Sequence, residues 1–290
     1  MRAGMVGLGR MGANMAERLR RHGHTVVGYD RDPNVSEVAS LEALVAALEG
    51  EPRRVVWMMV PAGDPTAETV GTLAETLADG DLVVDGGNSN WRHSLAHRDL
   101  LGERGIGFVD VGVSGGVWGL RDGYCLMVGG HTADVEDLQP LLRALAADGG
   151  YSHVGPVGAG HFTKMVHNGI EYGVMQAYAE GYEVLRACDM DIDLAATFEV
   201  WRHGSVIRSW LLDLLADALS DDPELDRVTG HAEDSGEGRW AVQDAIDLAV
   251  PVPAIASALF ARFASRQESS PAMRAVAILR AQFGGHEIPS

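Results

Sequence analysis

The chain of 290 residues contains one lysine, Lys164, among its 23 basic side chains, so arginine supplies the other 22. Only two cysteines, Cys125 and Cys188, are present; that excludes a disulfide framework and predicts a reducing, cytoplasmic setting. No run of about 18 apolar residues occurs that would cross a bilayer, which predicts a soluble protein. The opening stretch MRAGMVGLGRMG has no apolar core or cleavage signature and reads as structure, not as a signal peptide. Basic charge is also short: the formal net charge is −18. Nucleic acid and anionic membranes both need a basic face and are excluded as partners, whereas a small anion still binds wherever a few cations converge.

What remains is globular: 46% hydrophobic and 22% charged residues, enough for two ordinary domains. Residues 3–7, AGMVG, read as a short buried strand. They lead into the glycine turn Gly7-Leu8-Gly9-Arg10-Met11-Gly12 and then an apolar-periodic helix. A strand, glycine turn and helix in that order let backbone approach a pyrophosphate at a helix N-terminus. A second strand, HTVVGYD, ends in Asp30, 18 residues past Gly12. A carboxylate there bonds the ribose hydroxyls of NAD and repels the 2′-phosphate of NADP. Arg31 beside it has the opposite preference or stacks on the adenine, so NADP stays open as a second cofactor.

Further strands, RVVWMMVP, DLVVDGGNS, GIGFVDVGVSGG and YCLMVGG, alternate with helical stretches. This pattern predicts an α/β fold: an N-terminal Rossmann-type, doubly wound, mostly parallel sheet over residues 1–155, with ligands at the carboxyl ends of its strands. Val60-Pro61-Ala62, Asn88 and Ser114-Gly115-Gly116 fall at such ends. After residue 155 the strand signals stop, and the spacing predicts helices over 161–187, 191–203, 208–220, 240–250, 252–265 and 271–283. The second domain, 156–290, is therefore all-α.

Lys164 lies in the first of these helices, in HFTKMVHNGIEYG. At 100° per residue, Lys164, Asn168 and Glu171 fall within roughly 60° of one another, with His167 alongside. In a chain that otherwise uses arginine, a cation that must exchange a proton near neutral pH has to be lysine. Lys164 and Glu171, seven residues apart, form a candidate base and acid needing no metal.

These residues carry a resemblance. GLGRMG, DGGNS, GVSGG, GAGHFTKMVHNGIEYG, FAR and RAQFGGH together resemble the 6-phosphogluconate dehydrogenases in their short-chain form, over essentially the whole sequence. The resemblance implies oxidative decarboxylation of 6-phospho-D-gluconate to ribulose 5-phosphate and CO2, with Lys164 as general base and Glu171 as the acid that protonates C1. It further implies that Asn88, Ser114, Gly115, Gly116, His167, Asn168 and Tyr172 contact substrate and that Arg262 binds its phosphate. Arg280 and His286 would be supplied from a neighbouring subunit's tail, which makes the protein a homo-oligomer. Two departures stand out. Ser235 replaces a phosphate-holding lysine of the family's glycine loop, leaving Arg239 as a candidate substitute. Asp30 replaces an asparagine common in NADP-dependent members, which favours NAD. Another β-hydroxyacid dehydrogenase, acting on 3-hydroxyisobutyrate, is the alternative within the same fold, and a non-catalytic NAD sensor the alternative outside catalysis.

Overall fold

A computed structural model describes residues 1–284. Its contacts divide the chain into one unit over Met1–His167 and another over Asn168–Ser290.

The first unit is built on seven strands: β1 (Arg2–Val6), β2 (Thr25–Tyr29), β3 (Val55–Met58), β4 (Leu82–Asp85), β5 (Gly107–Ser114), β6 (Tyr124–Gly130) and β7 (Ala146–Gly155). They form one sheet in the order β2-β1-β3-β4-β5-β6-β7. All pairs are parallel except β5 with β6. Six helices belong wholly to this unit: α1 (Arg10–Arg21), α2 (Leu41–Ala46), α3 (Asp64–Thr76), α4 (Trp91–Gly102), α5 (Gly119–Asp122) and α6 (Thr132–Leu145).

The central strands β1, β3, β4 and β5 are mostly apolar because both faces of the sheet are covered there. Odd-numbered Met5, Trp57 and Val109 turn to one face, where Met15 and Leu19 of α1 and Leu138 and Leu142 of α6 pack on them. Even-numbered Val6, Val56, Met58 and Phe108 turn to the other, against Leu44 of α2, Val70 and Leu73 of α3 and Leu101 of α4. This alternation of faces is the two-residue period of the strand. Because β1, β3, β4 and β5 run parallel, their carboxyl ends share one edge, and the segments Gly7–Gly12, Val60–Ala62, Gly86–Ser89 and Ser114–Gly116 all leave from it.

Strand β7 is a finding that the composition of AADGGYSHVG does not announce. It pairs only with β6, with register shifts along the way, as an edge strand whose residues are largely unburied. The strand pairing ends at Gly155, and α7 (Ala159–Ala187) follows.

The second unit is helical: the greater part of α7, then α8 (Leu194–Trp201), α9 (Trp210–Asp221), α10 (Glu237–Asp247), α11 (Pro253–Ser265) and α12 (Pro271–Gly284). Phe198, Leu212, Ala216 and Leu219 of α8 and α9 close one small core against Tyr178, Tyr182 and Leu185 of α7. Tyr172, Ala258 and Leu259 close another with Val242 and Phe263. Local sequence fixes the helix starts: Asp193 accepts from Ala196 N at 2.9 Å, and Ser209 accepts from Leu212 N at 3.1 Å. Among the described residues no helix is long and apolar enough to cross a membrane.

Candidate active site

At the carboxyl edge of the sheet, the glycine turn has the shape a dinucleotide needs. Gly7 has φ +90°, and a Cβ on Gly12 would lie 1.9 Å from the Gly7 carbonyl oxygen, so helix and turn close only with glycine at both places. A Cβ on Gly9 would meet nothing within 4 Å, which leaves open space over the start of α1. Helix α1 begins at Gly9 without a side-chain cap and has no acidic residue in its first turn. Its first N–H groups and the positive end of its dipole therefore suit a phosphate.

Asp30 follows β2 at the same edge. Its Oδ2 accepts from Leu8 N at 2.6 Å and its Oδ1 from Asp32 N at 2.9 Å, which fixes the carboxylate against the glycine turn. Arg31 points its guanidinium at Glu68 of α3. After β4, buried Asp85 accepts from Gly87 N at 3.0 Å and from Ser89 Oγ at 2.8 Å, and this turn leaves Asn88 exposed. Val60 is half-buried and Pro61 and Ala62 are exposed. Gly115 and Gly116 both take positive φ after β5. The residues present thus fit an NAD-type cofactor held by the Gly7–Gly12 turn, Asp30 and the ends of β3 and β4.

Lys164 is 8% exposed. It sits one and a half turns into α7, where that helix presses on β5: a Cβ on Gly112 would stand 2.4 Å from the Lys164 Cβ and 2.8 Å from the Gly160 carbonyl oxygen. One turn on, His167 Nε2 lies 3.4 Å from Ser114 Oγ. The start of α7 is held by Asp110, a buried carboxylate inside β5. Asp110 Oδ1 accepts from Gly158 N at 2.6 Å and Oδ2 from His161 N at 2.7 Å, satisfying N–H groups that the helix itself leaves unpaired. His161 Nδ1 meets Ser94 Oγ of α4 at 2.7 Å. Burial pushes the Asp110 carboxyl up from its ordinary range, although His161 and the two backbone N–H groups pull the other way. Burial likewise pushes the nearby His97 imidazole down.

In the second unit, Asn168 Nδ2 donates to Oε1 of buried Glu237 at 2.9 Å. Buried Tyr172 has the Arg262 guanidinium 3.4 Å from its ring centroid, and its hydroxyl accepts from Ser235 N at 3.3 Å. Arg262 also donates to the Glu233 carbonyl at 3.0 Å. Tyr172, Arg262 and Ser235 are thus brought together. Arg239 is committed elsewhere: it grips Asp234 through two hydrogen bonds at 2.7 and 3.0 Å and holds that carboxyl below its usual range. A phosphate would have to displace Asp234 to recruit it. Glu171 is half-buried on α7, Arg280 is exposed on α12, and His286 lies outside the described residues.

Sequence reasoning missed Asp110, Ser94 and His161, which anchor the start of the helix bearing Lys164, and Glu237, which holds Asn168. The one available signal was an aspartate inside the apolar run GFVDVGV, where a buried carboxylate needs donors. No cluster of three or more metal-ligating side chains occurs among the described residues.

Comparison with known proteins agrees with this geometry. A family model described as the NAD binding domain of 6-phosphogluconate dehydrogenase matches residues 2–159, and one described as the C-terminal domain of 6-phosphogluconate dehydrogenase matches residues 160–283. A Haloferax volcanii protein named 6-phosphogluconate dehydrogenase, NAD(+)-dependent, decarboxylating, is 39% identical over 99% of this chain and 98% of its own length. The solved Plasmodium falciparum 6-phosphogluconate dehydrogenase, described apo, with NADP+ and with 6-phosphogluconate, is 26% identical. That match covers 100% of this chain and 66% of the Plasmodium chain, with a TM-score of 0.82. A Mycobacterium tuberculosis 3-hydroxyisobutyrate dehydrogenase shares the fold at TM-score 0.71 and 22% identity, over 97% of this chain and 99% of its own.

Proposed function

Because the chain belongs to the 6-phosphogluconate dehydrogenase family, we propose that it oxidises and decarboxylates 6-phospho-D-gluconate to ribulose 5-phosphate and CO2, preferring NAD as the electron acceptor. The observation that carries this reading is Lys164, a buried amine pressed onto β5 just before the Ser114–Gly116 turn. The cofactor, when bound, supplies a hydride acceptor.

Lys164 takes the proton of the C3 hydroxyl as that carbon is oxidised. The product is a 3-keto acid with its carboxylate β to the new carbonyl, so the C1–C2 bond electrons flow into the ketone as CO2 leaves. This yields an enediol, and Glu171 then delivers a proton to the carbon that lost CO2, the C1 of ribulose 5-phosphate. Asn88, Ser114, Gly115, Gly116, His167, Asn168 and Tyr172 bind the sugar acid, and Arg262 its phosphate. Asp110 and Ser94, through the start of α7, keep Lys164 in register with β5.

Steady-state assays with 6-phosphogluconate and 3-hydroxyisobutyrate test the substrate. Turnover of the phosphorylated acid at a kcat/KM at least about a hundredfold higher is expected, since a phosphate-binding arginine and a second acid serve only that substrate. Equal use of both, or a preference for 3-hydroxyisobutyrate, would place the protein with the other hydroxyacid dehydrogenases. For the cofactor, Asp30 is expected to give NAD a kcat/KM at least about tenfold above NADP, one mismatched charge being worth about that factor. A preference for NADP would overturn the reading of Asp30.

The second unit leaves Val184, Val200, Ile246, Phe260, Met273 and Leu279 exposed. These side chains are available to a second copy of the chain that brings Arg280 and His286 to its neighbour's site, as in the family. Light scattering is expected to give a dimer or larger assembly whose specific activity falls on dilution below the dissociation constant. A fully active monomer would contradict this.

A further inference from the structure

Asp30 is not the only residue at the ribose end of the nucleotide site with a stake in which cofactor enters. The guanidinium beside it belongs to Arg31, and left alone it would offer a 2′-phosphate a cation and a fork of donors. Here one arm of that fork is engaged. Arg31 Nη2 lies 2.6 Å from Oε2 of Glu68, and the two side chains, each about two-thirds exposed, are free of the protein interior. Glu68 stands in the second turn of α3, the helix that leaves the carboxyl end of β3 by way of Val60–Ala62. The sheet order places β1 between β2 and β3. The Arg31–Glu68 pair therefore links the connection after β2 to the helix after β3, the two strands that flank β1.

The geometry points to Glu68 as a determinant of cofactor specificity, acting as a counter-ion that holds Arg31 away from a 2′-phosphate. This deepens the NAD reading of the site and rests on it. A 2′-phosphate carries close to two negative charges at neutral pH. To use Arg31 fully it must compete with Glu68 for the guanidinium and sit among the Asp30, Asp32 and Glu68 carboxylates. A ribose 2′-hydroxyl bears no charge and meets none of this cost. The pair is exposed, so its hold is modest and weakens with salt. The expected effect is a few-fold change in affinity, not an all-or-none switch.

Fluorescence titration of NADH and NADPH, without sugar acid, reads this apart from catalysis. Four proteins are compared at low ionic strength: wild type, Glu68→Gln, Arg31→Ala and the double variant. Glu68→Gln is expected to tighten NADPH about three- to tenfold while NADH changes by less than about twofold, with the gain shrinking at high salt. In the Arg31→Ala background the same substitution is expected to lose most of that gain. An unchanged NADPH affinity, equal tightening of both nucleotides, or the full gain persisting without Arg31 each overturns the assignment. If neither nucleotide binds the wild type, the nucleotide site falls and this inference with it. If NADH binds and the Glu68 effect is seen but 6-phosphogluconate is not turned over, the inference stands and the substrate reading fails.

Discussion

Lys164→Arg is expected to bind 6-phosphogluconate and NAD within a few-fold of wild type and to lose at least about a thousandfold in kcat. The charge is retained, so substrate anion and field are little changed. What is lost is the ability to exchange a proton near neutral pH: a guanidinium keeps its proton under all ordinary conditions, whereas an amine removed from water can give it up. Positioned proton transfer contributes about 10²–10⁴-fold to such steps. Arginine is also larger, in a place where the helix already touches the strand, so the loss should lie toward the upper end. Steady-state kinetics together with a substrate dissociation constant separate the two contributions. A kcat within tenfold of wild type would remove Lys164 from the base role.

Gly112→Ala should produce the second large loss, without touching any group that exchanges protons. The added methyl would stand 2.4 Å from the Lys164 Cβ and 2.8 Å from the Gly160 carbonyl oxygen. One neighbour is the base of a side chain and the other is backbone, so neither yields by a simple rotamer change. Helix α7 must move off β5 near its start, against the two hydrogen bonds that Asp110 makes there. Overpacking of this kind costs about 1–3 kcal/mol of stability. A displacement of about 1 Å of a catalytic group costs roughly a hundredfold in rate. The expected result is a folded protein with a lowered melting temperature, kcat reduced about a hundredfold and NADH affinity unchanged, because the Gly7–Gly12 turn is remote from the substitution. Wild-type kcat in a folded Gly112→Ala protein would show that the contact between helix and strand does not set the position of Lys164.

Both variants concern a helix that the sequence announces well. The apolar spacing over 161–187 nearly coincides with Ala159–Ala187, and one lysine among 22 arginines marks the position that the fold then buries. The glycine turn and Asp30 are similarly legible, because a strand, a positive-φ glycine and a helix start are all local events. What stays hidden depends on pairing between distant segments. Asp110 reads as one polar residue in an apolar strand, and only the packing of α7 on β5 brings Gly158 N and His161 N to it. Strand β7 has no apolar period to read, since it lies at the sheet edge with much of its surface unburied. Glu68 sits in an unremarkable amphipathic helix, and nothing near it in the chain indicates that Arg31, 37 residues earlier, is its partner. Arg239 shows the converse: the glycine loop suggests a spare cation, and folding commits it to Asp234.

If one buried amine drives an oxidation whose product then loses carbon dioxide, both products must appear together, and following them in one reaction tests this. Purified protein is incubated with NAD and 6-phosphogluconate labelled at C1, and NADH absorbance and released labelled CO2 are measured in the same reaction. One CO2 is expected for each NADH throughout the time course. Steady NADH production with the label retained in a sugar acid, or no turnover of 6-phosphogluconate with either nucleotide, would contradict it.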